Sequence, residues 1–312
     1  MGKFVIVADA TCDLNEAFQT KYDVRIIPGH IVLPDKSDNL SYPRWELFTR
    51  EEFYADLKKN PSGYTTSPAN VEEFTKEFEI HAAQGVDILV MTISSGISGA
   101  FGFASVAAQN VGKKYPGVKI RCIDSLRFGP GFGLMVVHAA MLRDEGKTLD
   151  EVAEWLENNK NRFRQAGWLD DLSFVAKKGR ITHPKAFFGT LAGIKPIGEF
   201  DYNGLTTVLG KVKGAKAAYS LLIHYIEQTI EDPSEQIIFI AQTNRLPQAE
   251  EYKKLIEERF HPKEIYINDV FPACGVNIGP GLMAAYYIGK PISEDLSVEK
   301  GIVDTYLNAE GK

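Results

Sequence analysis

Residues 87–101 read Asp-Ile-Leu-Val-Met-Thr-Ile-Ser-Ser-Gly-Ile-Ser-Gly-Ala-Phe, an apolar run followed by small and hydroxylated residues. The apolar run predicts a buried parallel strand, and the small residues predict a loop that opens a helix. Ser94, Ser95 and Ser98 therefore fall between the carboxyl end of a strand and the amino end of a helix. Open α/β sheets bind ligands at such places, because the N–H groups at a helix start favour an anion. Hydroxyls without an obvious base favour holding that anion over attacking a substrate.

The first half of the chain alternates strand and helix patterns. The predicted strands are 4–7, 24–27, 31–33, 87–93 and 118–123. The predicted helices are 14–22, 49–58, 71–83, 99–115 and 149–162, with a further helix opening at the glycine-rich residues 129–133. This alternation predicts an N-terminal, Rossmann-like α/β domain built on a doubly wound, mostly parallel sheet.

The second half has a different pattern, which begins with a β-hairpin. Residues 195–200 and 206–212 flank the turn Asp201-Tyr-Asn-Gly204, in which Asn-Gly supplies positive φ. The remaining predicted elements are helices 215–230, 248–260 and 282–288 and strands 236–241 and 264–270. We therefore predict a C-terminal mixed α/β domain. The expected division is 1–165 and 166–312, with the ligand in the cleft between the two domains.

The composition argues against several classes of protein. The chain has 312 residues, of which 44% are hydrophobic and 24% charged, as in soluble globular proteins. A net charge of −6 argues against broad binding of nucleic acid, which needs a basic face. No apolar run reaches the ~20 residues of a membrane span. The first residues predict a strand and not a signal peptide.

The cysteines and histidines do not form the spacings of a metal site. Cys12, Cys122 and Cys274 lie far apart in the sequence, and the six histidines form no ligand pair. We therefore predict no metal and no cofactor. Scattered thiols of this kind are typical of a reducing compartment, so we predict a cytoplasmic protein.

Seven short motifs occur in order along nearly the whole chain. They are residues 5–14 (VIVADATCDL), 65–68 (TTSP), 93–99 (ISSGISG), 123–125 (IDS) with glycines at 129, 131 and 133, 178–182 (KGRIT), 195–197 (KPI) and 279–281 (GPG). In these motifs and their order the chain resembles the DegV family of bacterial fatty-acid-binding proteins. Each motif alone is weak, and the ordered set makes chance similarity improbable.

The resemblance implies a lipid-binding protein with no catalysis of its own. Members of this family bind one long-chain fatty acid in a tunnel between two α/β domains. In several bacteria a separate fatty-acid kinase then phosphorylates the carboxylate of the bound acid. The implied partners are therefore a long-chain fatty acid and a kinase subunit, with transient contact at a membrane surface as a further expectation.

By the same resemblance, Thr65 or Thr66, together with Ser94 or Ser95, holds the ligand carboxylate. Burying an acyl chain contributes about 0.8 kcal/mol per methylene, but an unpaired buried carboxylate costs several kcal/mol. The head group must therefore accept hydrogen bonds. The competing interpretation is that these hydroxyls only cap helices, which is a common use of Ser and Thr.

Four further residues are expected near the head group or the kinase: Ser125, Arg180, Lys213 and Asn277. A guanidinium at Arg180 matches phosphate geometry, although a basic turn is more often simply solvated. Asn277 stands where the family usually has His, and Lys213 stands where it tends to have Arg. Asn carries no charge and relays no proton, so the sequence supports fatty-acid binding better than phosphoryl transfer.

Two other functions compete with lipid binding. Ser94 and Ser95 after a strand could belong to a serine-dependent hydrolase or acyltransferase, but the chain has no G-x-S-x-G elbow. A phosphotransfer protein on a related fold is the other alternative. The chain has neither a G-x-x-x-x-G-K-[ST] loop nor a dinucleotide fingerprint after its first strand.

Overall fold

The computed structural model describes residues 4–183 and 193–309. Its strands are β1 (Val5–Asp9), β2 (Val24–Ile27), β3 (Gly29–Val32), β4 (Asp38–Ser41), β5 (Thr65–Ser67), β6 (Ile88–Thr92), β7 (Ile120–Asp124), β8 (Phe163–Leu169), β9 (Ile194–Phe200), β10 (Thr206–Lys213), β11 (Ile237–Gln242), β12 (Glu264–Asp269) and β13 (Leu282–Ile288). Its helices are α1 (Glu16–Lys21), α2 (Arg50–Lys59), α3 (Val71–Ala82), α4 (Ala100–Lys114), α5 (Gly129–Asp144), α6 (Leu149–Asn159), α7 (Ser173–Lys177), α8 (Ala215–Thr229), α9 (Leu246–Phe260), α10 (Pro272–Ile278) and α11 (Ser297–Ala309). None of the helices within these ranges combines the length and the apolar character needed to cross a membrane.

The first sheet is parallel and has the order β2-β1-β6-β7. Its two faces bury different helices, because side chains alternate along each strand. Val7 and Val90 pack toward α3 and α4, whereas Ile6 and Leu89 pack toward α5 and α6. This arrangement confirms the predicted doubly wound parallel sheet. The chain order of the strands reverses at β1, so the switch point lies between β1 and β6.

The second sheet is mixed, with the order β10-β9-β8-β13-β11-β12. Strands β9 and β10 form the predicted antiparallel hairpin, and β9 also pairs antiparallel with β8. Strand β13 is antiparallel to both of its neighbours, whereas β11 and β12 run parallel. The prediction of a mixed sheet with a hairpin is therefore confirmed.

The helix predicted at residues 282–288 is wrong, because this segment is the central strand β13. All seven of its residues are buried, with alternate side chains in two different core clusters. A strand covered on both faces has no polar alternation, so periodicity cannot separate it from a short buried helix.

A small antiparallel sheet with the order β4-β3-β5 lies beside the first sheet and was not predicted. Ile31 of this sheet packs with Phe53 and Tyr54 of α2 and with Val276 of α10. The small sheet thereby holds β5, which carries the predicted residues Thr65 and Thr66, against α10.

Helix α5 lies between the two large sheets and belongs to the core of both. One continuous cluster contains Ile6 of β1, Phe132 and Met135 of α5, and Ala284 and Tyr286 of β13. All strands of the parallel sheet precede residue 125, and all strands of the mixed sheet follow residue 162. The division at residues 165 and 166 stays a prediction.

His138 of α5 gives the fold a pH dependence. Its ring stacks on Trp155 and meets Phe163 edge-on, and its buried Nε2 has no hydrogen-bond partner among the described residues. Burial lowers the pKa of His138 to about 4. The unfolded chain, with a His pKa of about 6.5, therefore binds more protons below that pH, and stability falls as the pH falls.

We expect His138 to cost about 2 kcal/mol of unfolding free energy between pH 6.5 and pH 5. His138→Phe keeps an aromatic ring and removes the titration, so it should reduce the loss of stability over that interval. Urea unfolding of both proteins at several pH values measures the difference. If the unfolding free energies of the two proteins fell equally between pH 6.5 and pH 5, His138 would not be the source of the pH dependence.

Candidate functional site

A cavity lies at the switch point, beyond the carboxyl ends of β1 and β6. It encloses about 790 Å³, part of which is open to solvent. The N–H of Ile93 donates a hydrogen bond of 2.8 Å to Asp9 Oδ2, which joins the two strands at the cavity wall. Ligands of open α/β sheets bind at this place, because the connections leave the sheet in opposite directions there.

A second cavity of about 430 Å³ adjoins the first over the mixed sheet. The two share four lining residues, Phe128, Val175, Thr206 and Ile278. The floor of the second cavity is the face of the mixed sheet that carries Gly167 of β8, Gly198 of β9 and Val208 of β10. Gly198 pairs with Val208 on one side and with Gly167 on the other. Two glycines therefore lie side by side, and their lack of side chains leaves space above the sheet.

The polar residues that line the first cavity include Thr66, Ser98, Arg180 and Asn277. Asn277 Nδ2 donates a hydrogen bond of 3.0 Å to Thr66 Oγ1, which links α10 to β5. The guanidinium of Arg180 donates to the carbonyl of Lys178 and forms no ion pair with any described carboxylate. Hydroxyl, amide and guanidinium groups thus line the same cavity, together with apolar side chains.

Two buried acids, Asp9 and Asp13, fix loops that border the first cavity. Asp9 accepts hydrogen bonds from Thr11 as well as from Ile93, and burial raises the pKa of Asp9. Asp13 Oδ1 accepts from the N–H of Phe271 at 3.0 Å, which ties the β1 loop to the start of α10. Burial raises the pKa of Asp13 well above its usual range.

The structure does not bring Ser94 or Ser95 to the cavity. Ser94 is fully buried, and its hydroxyl accepts the N–H of Gly96 at 3.1 Å. Ser95 is exposed, and its N–H donates to Asp124 Oδ1 at 3.0 Å. The third serine of the same loop, Ser98, lines the cavity instead. Direct contact of Ser94 and Ser95 with a ligand stays a prediction that this geometry does not favour.

Of the other predicted site residues, some line the cavity and some do not. Thr65 is exposed and lies outside the cavity lining, whereas the adjacent Thr66 lines it. Ser125 is buried, and its hydroxyl bonds both the carbonyl and the N–H of Arg127, so it shapes a turn. Lys213 is exposed at the end of β10 and is not a lining residue. Thr66, Arg180 and Asn277 are therefore the predicted residues that the fold brings together.

Sequence reasoning missed the residues of the mixed sheet that line the second cavity, among them Gln165, Gly167 and Gly198. A signal was present at Gly198, because a glycine inside a strand often marks a close approach of a ligand or another backbone. The sequence around Gln165 carries no comparable signal, because the pairing of β8 in the sheet decides whether the Gln165 side chain faces the cavity.

The described ranges hold no group of three or more His, Cys, Asp or Glu residues able to bind a metal ion. The three cysteines are free thiols, and burial raises the pKa of the cavity residue Cys274 well above its usual range. The site therefore offers hydrogen-bond donors and apolar surface. The hydroxyls of Ser94 and Ser95 form no hydrogen bond with a described His, Asp or Glu side chain.

The parallel sheet, the mixed sheet and the partly open cavity at the switch point define an α/β protein with a candidate ligand site between its sheets. A family model described as "Uncharacterised protein, DegV family" matches residues 3–290. The chain belongs to the DegV family. A DegV domain-containing protein of Clostridium perfringens is 32% identical over 291 residues, which cover 93% of this chain and 98% of that relative.

Solved structures of similar fold support the architecture. A DegV family protein from Thermus thermophilus, described by its fatty-acid binding, has a TM-score of 0.82 at 23% identity and covers 92% of this chain and 100% of its own. A stearic-acid-binding protein from Eubacterium ventriosum has a TM-score of 0.80 at 21% identity, with 93% and 99% covered. At these identities the likeness shows the fold.

Proposed function

We propose that this protein binds one long-chain fatty acid without covalent attachment and without catalysis of its own. The carboxylate lies among Thr66, Arg180 and Asn277, and the acyl chain runs into the second cavity over the mixed sheet. The observation that carries the proposal is the pair of adjoining cavities, of which the first is lined by several polar side chains and the second mostly by apolar ones. A fatty acid has the same distribution of polarity along its length.

The binding energetics are consistent with an acyl chain that supplies apolar burial and a carboxylate that accepts hydrogen bonds. A sixteen-carbon chain offers on the order of 12 kcal/mol when buried, and immobilisation costs about 4–15 kcal/mol. Little affinity remains unless the carboxylate is well bonded. Charge-assisted hydrogen bonds contribute about 1.5–3 kcal/mol each, and Arg180 is positioned to supply one or two.

The assignment of head-group contacts modifies the sequence-based set. Thr66, Arg180 and Asn277 are retained, and Ser98 takes the place of Ser94 and Ser95, because Ser98 is the serine of this loop that lines the cavity. Its hydroxyl also accepts the N–H of Ala100 at 3.3 Å, at the start of α4. Ser94 then acts indirectly: its carbonyl accepts the N–H groups of Ile97 and Ser98, which sets the loop that carries Ser98.

The proposal is supported by what related proteins bind. Structures of DegV-fold proteins are described with stearic acid, vaccenic acid and heptadecanoic acid. These acids share a carboxylate and a long apolar chain, which is the chemistry that the two cavities accommodate.

Native mass spectrometry of protein purified without added lipid tests the proposal. We expect a mass excess equal to one fatty acid, which is released on denaturation and identified by gas chromatography. After lipid removal, palmitate or stearate should restore one bound molecule per chain. Protein that is empty on purification and that ignores both added acids would contradict the proposal.

Presentation of the bound acid to a separate fatty-acid kinase is a finer part of the proposal. The first cavity is partly open to solvent, which supports access of a partner to the bound acid, and the exposed Lys213 is a candidate contact. Loaded protein, ATP and a fatty-acid kinase should yield an acyl phosphate that hydroxylamine traps, and either protein alone should yield none. No product with wild type or Asn277→His would count against this role.

A further inference from the structure

A buried amide lies on the otherwise apolar floor of the second cavity. Gln165 is 4% exposed and, like Gly167 two residues along β8, lines this cavity. Its Oε1 accepts a hydrogen bond of 3.0 Å from the hydroxyl of Tyr286, which is itself buried. No polar atom of the described residues accepts a hydrogen bond from Gln165 Nε2. Gln165 therefore brings an N–H₂ donor without a described protein acceptor to the cavity floor, 3.6 Å from the position of a Cβ at Gly198, where the chain of the ligand would lie.

Thr206 adds a second polar group to the same wall. Thr206 and Val208 lie two residues apart on β10 and share the cavity face. The Thr206 hydroxyl forms no hydrogen bond with any described residue, although its carbonyl accepts from Thr182. The middle of the binding space is thus not a purely hydrocarbon surface.

An unsubstituted acyl chain cannot satisfy such a donor. Covering a buried N–H with methylenes costs the protein part of the ligand affinity, by a factor of about 5 to 150. A ligand that carries an oxygen acceptor at the right carbon avoids that loss. A trapped water is the other acceptor, and it needs at least two polar partners in the site.

We propose, on the basis of the fatty-acid-binding function above, that Gln165 is a specificity-determining residue. It selects long-chain acids that carry a hydroxyl or keto oxygen along the chain over unsubstituted acids of the same length. The amide N–H₂ donates to the ligand oxygen, and the Tyr286 hydroxyl fixes the orientation of the amide. Head-group binding is independent of this contact.

Delipidated wild-type protein is titrated with stearate and with hydroxystearates whose hydroxyl stands at successive carbons. We expect one isomer, or two adjacent ones, to bind about tenfold tighter than stearate. Gln165→Met combined with Tyr286→Phe leaves no buried polar group without its partner. This double variant should lose the preference and bind stearate about tenfold tighter than wild type does.

The comparison variant is Tyr286→Phe alone, which retains the amide but removes the hydroxyl that orients it, so the preference should weaken without disappearing. If no acid binds to wild type, the proposed function itself fails. If stearate binds to wild type and no hydroxystearate binds tighter, the specificity role of Gln165 is wrong. The same conclusion follows if the double variant keeps the preference. Should the double variant not fold, the wild-type series decides.

Discussion

Replacing Arg180 by glutamine is expected to weaken the binding of palmitate by about 10- to 150-fold, as measured by calorimetric titration of delipidated protein. Arg180 lines the first cavity and has no ion-pair partner among the described residues. Glutamine keeps hydrogen-bonding capacity and removes the charge. The loss therefore reports the charge-assisted contact with the carboxylate.

Lys177→Gln is the matched control, because it removes one positive charge from an exposed position three residues away. Its affinity for palmitate should stay within twofold of wild type, and the thermal midpoints of both variants should match that of wild type. Equal affinities of Arg180→Gln and wild type at unchanged thermal stability would show that the guanidinium does not meet the carboxylate.

Filling the floor of the second cavity should shorten the acyl chain that the protein accepts. A Cβ at Gly198 would lie 3.5 Å from the carbonyl oxygen of Thr207 and 3.6 Å from Gln165 Nε2, which are ordinary contacts. Gly198→Leu therefore projects its side chain into the cavity. Excluding three or four methylenes, at about 0.8 kcal/mol each, lowers stearate affinity on the order of 100-fold.

The chain-length profile separates a blocked cavity from a damaged fold. Affinities for shorter acids should fall much less than the affinity for stearate, and Gly198→Ala should cost only a few-fold. Gly102→Leu, at an exposed position of α4 with open space around it, should leave all affinities unchanged. A uniform loss across all chain lengths in Gly198→Leu would place the acyl chain elsewhere.

Most of the fold could be predicted from the sequence, because most of its strands are short apolar runs. The parallel sheet and the β9–β10 hairpin follow from local patterns of this kind. Strand β13 was misread as a helix, because its seven residues are buried on both faces. The small β4-β3-β5 sheet was missed, since its short strands are partly exposed and carry polar residues.

The candidate site was predicted in part. Thr66, Arg180 and Asn277 come from motifs far apart in the chain, and the fold brings all three to one cavity. From the loop that contains Ser94, Ser95 and Ser98, the sequence analysis named Ser94 and Ser95, whereas Ser98 is the one that lines the cavity. Which serine faces the cavity depends on the conformation of the loop. That conformation is set by hydrogen bonds such as the one that the N–H of Gly96 donates to the Ser94 hydroxyl.

A crystal structure of the protein with palmitate tests the central claim most directly. The account predicts electron density for one acid, with its carboxylate in hydrogen-bonding reach of Arg180 and of Thr66 or Asn277. The chain should cross the paired glycines Gly167 and Gly198. A carboxylate at the opposite end, or a chain outside the two adjoining cavities, would contradict the account.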